Sequence, residues 1–167
     1  MSSASAVLTS PSVERVRQAL ARAGLRAEVL ELPGAARTAR AAATFLGIEV
    51  AQIANSLVFR AEASARPVLV MASGAHRVDT ARLGALVGEP VGKADAEFVR
   101  RHTGFAIGGV APVGHGIATV FVEAKLAAAG ALWAAAGHPH TVFRLTYEEL
   151  LRITGGAPAE LAADGSP

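Results

Sequence analysis

Apolar residues recur every three or four positions in five stretches of the chain, and each stretch follows a residue that can begin a helix. Ser, Thr and Asp are favoured there because their side-chain oxygens accept hydrogen bonds from the free amides of the first turn. The predicted first residues are Ser10, Thr38, Asp79, Asp95 and Thr146. Glu149 completes a capping box with Thr146. The pattern therefore predicts five helices.

Shorter runs rich in β-branched and aromatic residues lie between the helical stretches and predict strands. They cover residues 27–32, 56–59, 67–71, 117–122, 132–136 and 141–145. Residues 62–66 would join the second and third runs as a hairpin loop. Because hairpins and helices mix without regular alternation, we predict a single mixed α/β domain over residues 1–156. Residues 157–167 continue neither pattern and are predicted to form a flexible C-terminal tail.

Composition narrows the classes of protein that fit this pattern. A length of 167 residues is typical of one domain. The absence of cysteine excludes disulfides, thiolate metal ligands and a cysteine nucleophile, and it is typical of the reducing cytoplasm, where we expect the protein to act. Apolar runs are too short or too charged to span a membrane. The net charge of +2 comes from scattered arginines, not from a basic stripe, so DNA binding is disfavoured.

The usual signatures of catalysis and metal binding are missing. The five histidines lack the helical spacing of a zinc protease, and His138 with His140 would supply only two ligands from one strand. The sequence also contains neither a G-x-S-x-G nucleophile turn nor a phosphate-binding P-loop. We therefore predict no metal and no cofactor.

One glycine-rich segment, residues 104–116, offers a different kind of chemistry. Gly108 and Gly109 allow the backbone to adopt positive φ and to approach a ligand closely, while Pro112 stiffens the far side. Exposed amides in such a loop can hold a carbonyl oxygen as negative charge develops on it. The same composition is also typical of a loop that only joins two elements, and the residues alone favour that simpler interpretation.

An ordered set of short motifs resembles the YbaK/EbsC family. Q-I-A-N-S-L-V-F-R at residues 52–60 is similar to the family's Q-I-x-K-S-L-V-F segment, and G-G-V-A-P-V-G at residues 108–114 is similar to its G-x-x-x-P loop. The other matches, in the same order as in the family, are A-S-G at 72–74, R-V-D at 77–79, A-D at 94–95, T-G-F at 103–105 and G-H-P-H at 137–140. The resemblance extends over residues 37–155.

The resemblance implies a fold and an activity. The fold is that of the prolyl-tRNA synthetase editing domain, a mixed and barrel-like β-sheet surrounded by helices. The activity is hydrolysis of the ester that joins a wrong amino acid to the 3′ end of tRNA, here tRNA(Pro) carrying a small amino acid. Prolyl-tRNA synthetase is an implied partner. The alternatives are a noncatalytic module of the same fold that binds aminoacyl-tRNA or an amino-acid-like ligand, and a hydrolase of some other small ester or amide.

The resemblance also assigns roles to residues. Gly108 would place its amide at the ester carbonyl, Gly109 would shape the loop, and His138 or His140 would orient the amino acid or water. The expected catalytic residues are Gly108, Gly109 and His138. The expected substrate-binding residues are Asn55, Leu57, Phe59, Ser73, Arg77, Pro112 and His140.

Asn55 departs from the family pattern, which has lysine at this position. An amide can hydrogen-bond to a ribose hydroxyl or an amino group, but it cannot neutralise a phosphate as lysine does. The change implies weaker activity, a different substrate, or tRNA contacts made elsewhere. Candidates for those contacts are Arg37, Arg40 and Arg77.

Overall fold

Eight strands and five α-helices make up the part of the chain that the computed structural model describes, residues 5–163. The strands are β1 (Leu30–Glu31), β2 (Ala54–Ala61), β3 (Pro67–Ser73), β4 (Val91–Lys93), β5 (Val120–Glu123), β6 (Leu132–Ala135), β7 (Thr141–Leu145) and β8 (Ala157–Ala159). The helices are α1 (Pro11–Arg22), α2 (Ala39–Leu46), α3 (Thr80–Val87), α4 (Ala96–Thr103) and α5 (Tyr147–Thr154). The mixed α/β class predicted from the sequence is confirmed.

The five predicted helices are all present, and the predicted caps explain where four of them begin. Thr38, Asp79, Asp95 and Thr146 each accept a hydrogen bond from a backbone amide of the first turn. Thr146 and Glu149 form the predicted capping box. Ser10 precedes α1 without a side-chain cap, and Pro11 occupies the first position of that helix.

Two sheets carry the strands. The larger has the order β4-β2-β3-β5-β8, with β2 and β3 antiparallel and β3, β5 and β8 parallel. The smaller has the order β1-β7-β6 and is antiparallel. A single bridge between Ile53 and Trp133 connects them. The sheets do not close on each other, so the expected barrel-like arrangement is wrong.

β3 is buried on both faces, which explains its continuous apolar sequence. Leu69 and Met71 face the main core, while Val68, Val70 and Ala72 face a second cluster beneath α3. β2 pairs with the whole of β3, so Asn55 lies opposite Ala72 and Ser56 opposite Met71. This pairing fixes the direction in which each β2 side chain points.

The C-terminal segment is folded where the structure describes it. Residues 157–159 form β8, which pairs in parallel with β5, and Leu161 is fully buried among the residues of the second cluster. Ala162 forms a bridge with Val78. The expectation of a flexible tail is therefore wrong for residues 157–163, because Leu161 fills a gap beside β3 that the sequence pattern did not reveal. Residues 164–167 and 1–4 lie outside the described part of the chain.

Three predicted strands are shorter than expected, β6 by the single residue 136, and two short strands, β4 and β8, were not predicted. Only Leu30–Glu31 of residues 27–32 pairs with another strand, and β5 begins at Val120, not at residue 117. β4, at Val91–Lys93, lies on the sheet edge next to Phe59 and Arg60. Within residues 5–163, no helix has the length and apolar character needed to cross a membrane.

Candidate active site

A cleft between the two sheets contains Asn55, and we call it the Asn55 cleft. It lies between the start of α2, the start of β2 and strands β6 and β7. Its polar or aromatic lining residues are Arg37, Thr38, Asn55, Ser56, Trp133 and Thr141. The remaining walls are mostly small and apolar, with alanines at positions 42, 134 and 135. Gly108 closes one side.

Gly108 lies in a tight turn over residues 106–109. The Gly109 amide donates to the Ala106 carbonyl oxygen at 2.9 Å, and Gly108 has a φ of 87°, as the third residue of a type II turn requires. In such a turn the hydrogen bond runs from the amide of the fourth residue to the carbonyl of the first. The amide of the third residue, here Gly108, takes no part in it. Among the described residues, the Gly108 amide has no hydrogen-bond acceptor. It is therefore a donor that a ligand can use.

Three distant segments meet around Gly108. A β-carbon at this position would lie 3.4 Å from both the Ala36 carbonyl oxygen and the Arg37 Cα, and 3.7 Å from the Pro139 side chain. The Ala36 amide donates to the Pro139 carbonyl oxygen at 2.8 Å, which holds the other two segments together. The positive φ favours glycine here, and a β-carbon would be in van der Waals contact with the neighbouring backbone.

Gly109 shapes the loop in a different way. Its amide is used within the turn, so it is not a donor for substrate. A β-carbon on Gly109 would lie 3.0 Å from the backbone of His138, which is tighter than normal packing. The absence of a side chain at Gly109 thus allows the two loops to pack backbone against backbone.

The far end of the Gly108 loop is fixed by Pro112 and His115. The Pro112 carbonyl oxygen lies 2.9 Å from His115 Nε2, and Nδ1 of the same ring accepts from the Ile117 amide at 2.9 Å. Burial lowers the pKa of His115, while the bond to Pro112 opposes that shift. Pro112 is buried and lines neither the Asn55 cleft nor the clefts described below, so its role here is structural.

His138 and His140 lie on the turn between β6 and β7. The His140 amide donates to Nδ1 of His138 at 3.0 Å, which leaves the ring proton of neutral His138 on Nε2. The pKa of His138 is lowered, mainly by burial and further by the nearby His140, while Glu31 acts in the opposite direction. The two rings are 5.1 Å apart in an edge-to-face arrangement.

Neither histidine lines the Asn55 cleft. Both line a neighbouring cleft of about 790 Å³, which also contains Arg37 and Arg100, and we call it the Arg100 cleft. It shares Arg37 and Pro139 with the Asn55 cleft. We expected one of the two histidines to line the substrate pocket. Instead, both lie outside the Asn55 cleft and line the cleft next to it.

A third cleft, the Phe59 cleft, is also lined by Gly108. It shares Ser56, Gly108 and Val110 with the Asn55 cleft. Its walls are mostly apolar, and its polar and charged lining residues include His76, Arg77 and Lys93. The structure thus brings three of the predicted residues, Leu57, Phe59 and Arg77, into this cleft and not into the one that contains Asn55.

Ser73 does not meet the expectation that it contacts substrate. Its side chain is buried, Oγ donates to the Ala51 carbonyl oxygen at 3.3 Å, and Oγ accepts from the Ala75 amide at 3.2 Å. Ser73 therefore fixes the chain where β3 ends. Met71, opposite Ser56, is fully buried in the main core, and its sulfur lies 3.4 Å from Ser56 Oγ.

The structure also reveals groups that the motifs did not single out. Glu123 is 1% exposed, and its Oε2 atom lies 3.6 Å from Nδ1 of His76, which lines the Phe59 cleft. Arg100 joins Arg37 and the two histidines although it lies on α4. The only sequence signal for Arg100 was its place in the last turn of a predicted helix. Within residues 5–163, no group of three or more His, Asp or Glu side chains is arranged to hold a metal ion.

Comparison with known proteins assigns this arrangement to a family. Residues 34–153 match the aminoacyl-tRNA editing domain family. The crystal structure of a candidate trans-editing enzyme for prolyl tRNA synthetase is 44% identical, with a TM-score of 0.85 over 92% of this chain and 98% of that one. The hypothetical protein APE2540 has the same fold, with a TM-score of 0.80 at 24% identity over 89% of this chain and 99% of its own.

A relative in Bacillus subtilis (strain 168), the uncharacterised protein YwhH, is 29% identical over 125 residues, which are 74% of this chain and 78% of YwhH. The family match includes all the residues that surround the Asn55 cleft and the loop at Gly108. It covers well over half of the sequence. The chain therefore belongs to the aminoacyl-tRNA editing domain family.

Proposed function

We propose that the protein is a trans-editing hydrolase that removes a small wrong amino acid from mischarged tRNA(Pro). The observation that carries this proposal is the Gly108 amide, a donor without an acceptor among the described residues, at the edge of a small cleft. Membership of the editing-domain family supports action on aminoacyl-tRNA. The relative described as a candidate trans-editing enzyme for prolyl tRNA synthetase supports tRNA(Pro) as substrate and that synthetase as partner. Such a reaction belongs in the cytoplasm.

In the proposed reaction, the ester carbonyl lies against the Gly108 amide. Water adds to the carbonyl carbon, and the negative charge that develops on the oxygen is stabilised by the amide hydrogen. The bond between the carbonyl carbon and the ribose oxygen then breaks, the ribose oxygen takes a proton from the attacking water, and the free amino acid leaves. Because the turn holds the amide in place before the reaction, little reorganisation is needed.

The lining of the Asn55 cleft limits which side chains can take part in hydrolysis. Within the described residues, its lining contains no carboxylate and no histidine. An aminoacyl ester is already activated, and the ribose hydroxyl next to the ester can orient the attacking water. The reaction we propose therefore depends on positioning and on the backbone donor, with Asn55 holding a ribose hydroxyl or the amino group of the substrate.

The size of the cleft favours a small amino acid. Alanine side chains of α2 and β6, together with Trp133, line the cleft and keep it narrow. A synthetase pocket separates substrates that differ by a methylene group by only about 1–3 kcal/mol. A second site that admits small amino acids and hydrolyses their esters supplies the missing selectivity.

A noncatalytic binding module is the second candidate. The feature that favours it is the neutral amide of Asn55 in a cleft whose described lining offers no general base. Such a module would bind a nonhydrolysable aminoacyl-adenosine mimic without turning over the corresponding ester. A hydrolase of small esters unrelated to tRNA would instead act on substrates that lack a nucleoside.

A panel of mischarged tRNAs tests these functions directly. We expect release of free amino acid from tRNA(Pro) charged with a small wrong amino acid, and little release from correctly charged tRNA. Failure to exceed the spontaneous rate with every member of a broad panel would refute the editing proposal. Tight binding of the mimic in that case would identify the binding module.

A further inference from the structure

The Arg100 cleft collects basic groups from three separate segments of the chain. Arg37 precedes α2, Arg100 lies on α4, and His138 and His140 lie on the turn between β6 and β7. The lining contains no carboxylate among the described residues. Ser12 adds a hydroxyl from the start of α1. The cleft is therefore shaped and charged for an anion.

The two arginines are available to a ligand. Among residues 5–163, neither Arg37 nor Arg100 forms an ion pair with a carboxylate. Both residues are exposed. Arginines elsewhere, such as Arg17 and Arg66, are paired with glutamates. Guanidinium groups present planar pairs of donors that match the oxygens of a phosphate. Since Nδ1 of His138 accepts a backbone hydrogen bond, Nε2 of its neutral ring is also a donor.

The position of the cleft indicates which anion it accepts. It shares Arg37 with the Asn55 cleft, and the Arg37 Cα lies 3.4 Å from where a β-carbon of Gly108 would be. An ester held at Gly108 is attached to a ribose that also carries a base and a 5′-phosphate. The mostly apolar Phe59 cleft, which Gly108 also lines, suits the base. The basic Arg100 cleft, which shares Arg37 with the Asn55 cleft, then remains for the phosphate.

We propose that the Arg100 cleft binds the phosphodiester on the 5′ side of the terminal adenosine, through the guanidinium groups of Arg37 and Arg100. This inference rests on the proposed function, because it places the ester at Gly108. It assigns the phosphate to Arg37, which lines both clefts, and to Arg100, because the neutral Asn55 side chain cannot balance the phosphate charge. The three clefts that meet near Gly108 and Arg37 would thus receive the three substituents of one ribose.

Two substrates separate phosphate binding from ester hydrolysis. One is the mischarged tRNA, and the other is the same amino acid esterified to adenosine, which has no phosphate. We expect Arg100→Gln to lower kcat/KM for the tRNA about tenfold and to leave kcat/KM for the adenosine ester within about twofold of wild type. The dependence of log kcat/KM on log salt concentration should become shallower by about one unit.

Arg101→Gln is the matched control. It removes the same charge from the next residue of α4, whose guanidinium lies 5.8 Å from the centre of the Phe98 ring and does not line the cleft. We expect near wild-type kinetics with both substrates. Equal effects of the two substitutions, or an equal loss of activity with both substrates in Arg100→Gln, would overturn the inference.

A binding measurement decides the matter without turnover. An acceptor-stem hairpin that ends in CCA and carries no amino acid should bind the wild-type protein and Arg101→Gln with equal affinity. It should bind Arg100→Gln about tenfold more weakly. If the wild-type protein hydrolyses neither substrate, the proposed function fails, and this measurement still tests the Arg100 cleft. Equal hairpin affinity in all three proteins would show that the cleft does not bind the phosphate.

Discussion

His115 lies against Pro112, with its Nε2 atom 2.9 Å from the Pro112 carbonyl oxygen, and its other ring nitrogen accepts from the Ile117 amide. A single imidazole thus joins the end of the Gly108 loop to the segment that leads into β5. Nδ1 must be unprotonated to accept from an amide, so the neutral ring is the form that fits. Burial favours the same form, because it lowers the pKa of His115.

The first prediction concerns pH. The unfolded chain binds a proton at His115 near the ordinary value of 6.5, whereas the folded protein binds it only at lower pH. The unfolded state therefore holds more protons below that value, and the free energy of unfolding should fall as the pH is lowered through 6.5. His138, whose pKa is also lowered, should contribute in the same direction. Urea unfolding at pH 7.5 and 5.5 measures the change.

His115→Gln should reduce this pH dependence and, at pH 7.5, should destabilise the protein by about 1–3 kcal/mol through the loss of its two hydrogen bonds. His102→Gln is the control, because that ring stacks near Phe98 on α4 and is not bonded to the loop. An unchanged pH dependence in His115→Gln would contradict the assignment of the neutral ring.

The second prediction separates strain from function at Gly108. Gly108→Ala and Gly116→Ala both place a β-carbon on a residue with positive φ, 87° and 75°, so each should cost about 1–2 kcal/mol of stability. A β-carbon at Gly116 meets no heavy atom within 4 Å, whereas at Gly108 it meets the Ala36–Arg37 backbone at 3.4 Å. We expect about a hundredfold loss of kcat in Gly108→Ala only.

Single-turnover hydrolysis of mischarged tRNA measures this difference, and circular dichroism checks that both variants are folded. If both variants retain wild-type kcat, the Gly108 amide is not the oxyanion donor. A similar loss in both variants would instead assign the effect to the rigidity of the whole segment.

The third prediction concerns Asn55. Its amide lies in the cleft at a half-buried position of β2, so Asn55→Ala should lower kcat/KM about tenfold through the loss of one or two hydrogen bonds to substrate. Asn55→Asp should cost more, because a carboxylate of similar shape repels the developing oxyanion and the phosphate. Asn55→Lys should strengthen binding of the tRNA and steepen its salt dependence. Equal kinetics in all of these variants would remove Asn55 from the substrate site.

The fourth prediction tests the folded C-terminal segment. Leu161→Ala removes a fully buried side chain from the cluster beside β3 and should destabilise the protein by about 2–5 kcal/mol. Leu86→Ala, at a leucine that is 53% exposed, should change the free energy of unfolding by less than about 0.5 kcal/mol. Denaturant unfolding compares the two. Equal stability of the Leu161 variant and the wild type would show that the segment is not part of the core.

Sequence reasoning succeeded where the information is local. Thr38, Asp79 and Thr146 begin their helices because a single side chain binds an amide a few residues ahead. The residues of the Gly108 segment likewise predict a loop, but its role at the ester came from the family resemblance. Burial of Leu161 depends on a gap left by β3 and α3, which no nearby residue encodes. The same applies to Arg100, because its proximity to His138 depends on how α4 packs against a loop much later in the chain.

The pairing of β1 with β7 determines when the Asn55 cleft can be completed during synthesis. Glu31 pairs with Thr141, near opposite ends of the described chain, and this contact brings the Ala36–Arg37 segment beside Pro139. A nascent chain that still holds β7 inside the ribosomal tunnel has half a cleft and only part of the basic cluster. The growing chain therefore has a complete Asn55 cleft only after residues 139–142 have left the tunnel.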